Sequence, residues 1–168
     1  MTFVVEDGTG RPDATSGVSV DYADEYLAAT GYAPDWATKT LPTKRGLLMS
    51  ATGIISNSFN FRGTLAFETQ GLPFPRIDLR DRENRLIIGV PLLYKNAVCE
   101  VAYAISQNNF LEDNELGALE SIKVGPISLE VSAMASESKV IPDFTLRMLG
   151  EYGSYRFTRA RMRQLISG

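Results

Sequence analysis

The residues with the plainest chemistry are arginines set beside aromatic rings. Tyr155, Arg156, Phe157, Arg159, Arg161 and Arg163 crowd the C-terminal end, with Tyr152 just ahead of them. Guanidinium groups pair with carboxylates and phosphates in a fixed fork, and rings fill pockets or stack on bases. The composition therefore suits a docking anchor on a protein as well as a contact to nucleic acid. A second group follows Phe74: Arg76, Arg80, Arg82 and Arg85, interleaved with Asp78, Asp81 and Glu83. These charges nearly cancel. That predicts a mutually paired interaction loop rather than a nonspecific grip on DNA.

Covalent and acid–base chemistry finds little to work with. The chain has no histidine, so a Ser-His-Asp triad, a Cys-His pair and a histidine metal site are excluded within it. No side chain has an unperturbed pKa near 7. Cys99 is the single cysteine; it lies in an apolar run and reads as a small buried hydrophobe, with no disulfide or zinc cluster possible inside the chain. Asp21, Asp24 and Glu25 could in principle do acid–base work. Their place in the first turns of a helix, where acids oppose the macrodipole, explains them more simply. Gly8-Thr9-Gly10 reads as part of a flexible arm rather than a phosphate cradle, since no strand–turn–helix pattern surrounds it. No P-loop, GxGxxG, HExxH, EF-hand or CxxC pattern occurs. The expectation is a protein that is not an enzyme and binds no cofactor or metal.

The elements that must position these groups are mostly helices. Of 168 residues, 44% are hydrophobic and 22% charged, which suits one globular domain. Ser19 predicts the cap of a helix over 19–30, stopped by Gly31. Pro42 opens a second, with Leu47, Leu48, Ala51, Ile54, Ile55 and Phe59 on one stripe. Pro91 opens the third, whose wide apolar stripe from Leu93 to Ile105 predicts a central helix. Alternation of Ile122 and Val124, then of Ile127, Leu129 and Val131, predicts a β-hairpin near 119–132. Pro142 opens a short fourth helix that Gly150 stops. Residues 60–88 resist a helical reading and form a long, functional loop. The fold expected is mainly α: a small bundle of about four helices with a β-hairpin and extended N- and C-terminal arms.

Charge divides the chain unevenly. The net charge is −3, yet residues 151–168 hold four arginines and one glutamate, +3, which leaves −6 on residues 1–150. The organisation expected is a helical domain over 1–150 and a basic arm over 151–168. No apolar stretch is long enough for a membrane helix, and the N-terminal residues lack the basic region of a signal peptide. The expectation is assembly in a cytoplasm, with no membrane partner.

Five segments, in order, resemble one phage family. Val4-Val5-Glu6-Asp7-Gly8-Thr9-Gly10 followed by Ser19-Val20-Asp21-Tyr22-Ala23-Asp24-Glu25-Tyr26 is similar to the start of tailed-phage head–tail connector proteins, a family often labelled "DnaT-like ssDNA-binding protein". Gln70-Gly71-Leu72-Pro73-Phe74-Pro75-Arg76 resembles its QxLxWPR segment, with Phe74 where the family usually has Trp. The helix at 91–107, Lys123-Val124-Gly125-Pro126-Ile127-Ser128-Leu129-Glu130 and the helix after Ile141-Pro142 complete the series. The likeness covers most of residues 3–150. It does not extend to the arginine-rich tail.

The resemblance implies a head-completion adaptor. Such proteins form a ring, typically of twelve copies, beneath the portal. Genome DNA passes through it, and the next tail or stopper component docks on the far face. On that reading Tyr155, Arg156, Phe157, Arg159, Arg161 and Arg163 meet the portal protein. Phe74, Arg76, Arg80, Arg82 and Arg85 meet neighbouring copies or the next component, and the protein resides in the virion neck. The alternative is a single-stranded DNA-binding module using the same tail.

Overall fold

Apolar stripes on four helices decide where the core lies. The computed structural model describes residues 2–107 and 141–156. Helix α1 spans Val20–Thr30. The Ser19 hydroxyl accepts from the Tyr22 N–H at 3.1 Å, and Gly31 takes the left-handed conformation after its end; both are the expected caps. A 3-10 turn at Pro34–Trp36 leads to α2, Leu41–Ser58, capped by Thr40. Helix α3 spans Leu92–Gln107 and α4 spans Asp143–Gly150. The prolines at 91 and 142 sit just ahead of these helices, where a missing N–H costs nothing.

Helix α3 is central, as its wide stripe predicts: it packs against α1, α2 and α4. Ala97, Val98, Cys99, Val101 and Ala102 are buried on it, against Leu48, Ala51 and Ile55 of α2, Ala23 and Leu27 of α1 and Leu149 of α4. Burial raises the Cys99 thiol pKa, so it stays protonated and packs as a hydrophobe.

Among the described residues four short strands form two antiparallel ladders. β1 (Phe59–Phe61) pairs with β4 (Gly153–Tyr155), Phe59 opposite Tyr155. β2 (Thr64–Leu65) pairs with β3 (Arg76–Ile77). The architecture is thus mainly α with small β ladders. The hairpin expected near 119–132 lies outside the described residues.

Two expectations change in detail. The N-terminal segment lacks helix, as expected of an arm, but it is folded onto the body. Val5 bridges to Ser16, the Gly17 N–H donates to Thr52 Oγ1 at 3.1 Å, and Val18 is buried. The boundary expected at 150 also moves. Tyr152 is 5% exposed, and β4 is stitched to β1, with the Arg156 N–H donating to the Ser58 carbonyl at 2.7 Å. Residues 151–156 therefore belong to the body. Aromatic burial and ladder bonds hold them there, whatever their charge.

Candidate interaction site

The segment 60–90 is where sequence and structure part most. It has little regular structure but is held in one shape, chiefly by Arg76. That guanidinium donates to four carbonyl oxygens: Arg62 at 2.7 Å, Pro73 at 3.0 Å, Phe61 at 3.3 Å and Gly63 at 2.8 Å. A planar fork with five donors can serve several acceptors at once, which a lysine cannot. Gln70 braces the same turn. Its Oε1 accepts from the Phe67 N–H, and its Nε2 donates to the carbonyls of Leu72 and Pro75. The Phe74–Pro75 peptide is cis.

Phe74 was expected to face a neighbouring subunit; the structure places it inside instead. Phe74 is 1% exposed and packs on Phe61, Tyr94 and Tyr152. Burying a ring of this size outweighs exposure in a loop by about 2 kcal/mol. Arg76 is committed to backbone carbonyls. Farther along, the expected internal pairing is present: Arg85 pairs with Asp81 at 2.8 Å, and Arg80 donates to the Asn84 carbonyl at 2.7 Å. Arg80, Arg82 and Arg85 are exposed.

The arm residues also divide. Tyr155 lies in β4, its ring edge-on to Phe59 at 5.5 Å. Arg156 donates from Nε to Asn60 Oδ1 at 2.6 Å. Both are seated on the body, a correction to their expected place in a detached arm. Phe157, Arg159, Arg161 and Arg163 lie outside the described residues.

These elements leave one cleft beside β1, of about 400 Å³. Phe59, Phe61, Leu65, Leu72 and Pro73 give it apolar walls; Asn60, Gln70, Arg76 and Arg156 give it polar ones. Among the described residues its charged lining is Arg76 and Arg156.

The N-terminal glycines have a different task from the one expected. Glu6 is 5% exposed, and its carboxylate accepts from the N–H groups of Gly8 at 2.8 Å, Gly10 at 2.9 Å and Arg11 at 2.9 Å. The loop is a backbone nest, the type of concavity that holds anions, and its own side chain fills it. Gly10 adopts φ +75°, with the Phe67 ring where a Cβ would stand. At Gly71 an added Cβ would likewise stand 2.9 Å from the Pro12 carbonyl oxygen, so only glycine fits. The N-terminal loop and the 67–71 turn thus lock together.

A polar seam on α3 carried no signal in the sequence. Asn96, Glu100, Tyr103 and Gln107 share a face of α3 at helical spacing. Tyr22 donates to Asn96 at 2.6 Å, and Tyr26 to Glu100 at 2.9 Å. The Tyr32 hydroxyl also donates to Glu100, which is 3% exposed. Tyr103 donates to Asp35 at 2.8 Å and Gln107 donates at 2.6 Å. Burial, then the Glu100 carboxylate, raises the pKa of Tyr26 and Tyr32. Donors from Tyr103 and Gln107 lower Asp35 to about 2. Only partners some seventy residues apart reveal this seam. Asp24 of α1 is structural too: it accepts from Trp36 Nε1 at 2.7 Å and pairs with Lys44 at 2.9 Å.

Among the described residues no group of three Cys, Asp or Glu side chains is placed to hold a metal, and no helix is long and apolar enough to cross a membrane. A family model described as "Putative DnaT-like ssDNA binding protein" matches residues 1–163. The chain belongs to this family. The match takes in both the body and most of the DnaT-like chain's basic tail. No curated protein and no solved structure matches significantly.

Proposed function

We propose that the chain is a structural assembly subunit of a phage neck, an adaptor that joins capsid to tail. It contacts its own copies, the portal protein and the next tail or stopper component, and DNA passes through the resulting ring. The observation that carries this reading is an apolar rim on a rigid frame. Ile88 is 85% exposed, Leu92 62% and Phe67 50%. The locked N-terminal loop joins them: Gly10 lies against Phe67, and Gly8 lies against Gly89. Exposed apolar side chains on segments fastened by one loop suit contact with another protein. The ordered motifs resembling connector proteins support the same reading.

Electron microscopy of particles made without this chain tests it. Heads that fail to join tails are expected, as is a ring of this chain beneath the portal in complete particles. Normal tailed particles in its absence would overturn the reading.

The family's description favours a second reading, binding of single-stranded DNA, and the positive cleft is compatible with it. Anisotropy of a labelled oligo-dT decides between them. Affinity that falls steeply with salt supports DNA binding; no binding at low salt removes it.

A further inference from the structure

We infer that the positive cleft beside β1 receives the acidic segment 111–120 of a second copy of the chain. Three guanidinium groups surround β1, and all three are bonded to neutral acceptors. Arg62 donates to the carbonyl oxygen of Glu151, not to its carboxylate. Arg76 donates to its four carbonyls. Arg156 donates to the Asn60 amide oxygen at 2.6 Å.

None of them makes an ion pair among the described residues. The pairs found there are Arg11–Asp13, Lys39–Asp35, Lys44–Asp24 and Arg85–Asp81. Among the described residues no aspartate or glutamate lines the cleft. In a chain of net charge −3, clustered cations without a counter-charge form a surface that attracts an anion. Among the described residues Arg156 is held through Nε, and its terminal nitrogens suit a bidentate partner.

The walls narrow the choice of anion. Leu65, Leu72 and Pro73 call for apolar side chains beside the negative charge. A nucleic acid base would need an open ring face, but the Phe61 ring is hemmed in by Phe59, Phe74 and Tyr94 at 5.7, 4.9 and 6.0 Å. A short peptide carrying carboxylates and leucines satisfies both demands. The chain contains one: Leu111-Glu112-Asp113-Asn114-Glu115-Leu116, followed by Glu120 and free of basic residues. No other stretch has three acids within four residues.

Cleft and segment are different patches of one chain. A contact between them is heterologous, so it propagates from copy to copy and can close into a ring. The inference rests on the assembly reading for the second copy and adds to it the surface and the segment.

Sedimentation equilibrium of the full-length chain at low salt tests the contact. Arg156→Glu is expected to weaken self-association at least about tenfold. The triple variant Glu112→Lys, Asp113→Lys, Glu115→Lys is expected to do the same. Mixing the two variants restores association, because the reversed charges meet across the contact. Arg156→Gln gives a smaller loss, and unchanged circular dichroism shows that each variant is folded.

Four results overturn the inference: a wild-type chain that stays monomeric; Arg156→Glu that associates like wild type; restoration only when all four changes share one chain, which makes the contact internal; or oligo-dT that dissolves the assemblies by occupying the cleft. Self-association through this cleft in a chain whose removal leaves tailed particles intact defeats the assembly reading alone. Unaltered association of Arg156→Glu, with necks that still require the chain, defeats the inference alone.

Discussion

A single carboxylate on the central helix fastens two elements to it. Glu100 takes the hydroxyls of Tyr26 and Tyr32 and is nearly sealed from water. Glu100→Ala removes a charged acceptor shared by both, and a loss of about 2–4 kcal/mol is expected, read as a lower urea midpoint at unchanged slope. Glu100→Gln keeps one acceptor and loses less. Asp35 adds a pH dependence of known sign. Its carboxyl is lowered from 3.8 to about 2, first by the Tyr103 hydroxyl. The stability it contributes is therefore complete above the ordinary carboxylate range and is lost as pH falls through that range toward about 2. The advantage of wild type over Asp35→Asn should be constant above about pH 5 and shrink below it, measured as denaturant midpoints across the acid limb.

At the scale of elements, the segment between β1 and α3 depends on one guanidinium. Arg76→Lys offers one ammonium group to four carbonyls spread around a turn. A loss of about 2 kcal/mol is expected in chemical denaturation, despite the kept charge. This segment also shows what was legible beforehand. The caps at Ser19 and Gly31, the stripe from Leu47 to Ile55 and the central position of α3 were readable because each is written in residues a few positions apart. Phe74 and Arg76 were not. Their surroundings are backbone carbonyls and rings from Phe61, Tyr94 and Tyr152, brought close only by the fold. Local spacing marked the segment as important and assigned it to the outside, whereas its ring lies inside. Glu6 was hidden for a related reason. A glycine pair near an acid looks mobile until one sees that the acid holds the glycines.

At the scale of the whole molecule, the body continues past Gly150 through at least Arg156. Truncation after Gly150 removes Tyr152 and the strand on β1. It should cost at least about 3 kcal/mol more than truncation after Arg156, measured as the difference in unfolding free energy between the two shortened chains. Only the longer form is a fair test of what the arginines beyond it do. The same ladder has a mechanical meaning. A pull applied at Arg156 loads its bond to Ser58, the last residue of α2, the longest helix described. The covalent chain carries the same load back through Tyr152 to the short α4, so the ladder divides a pull at this point between two helices.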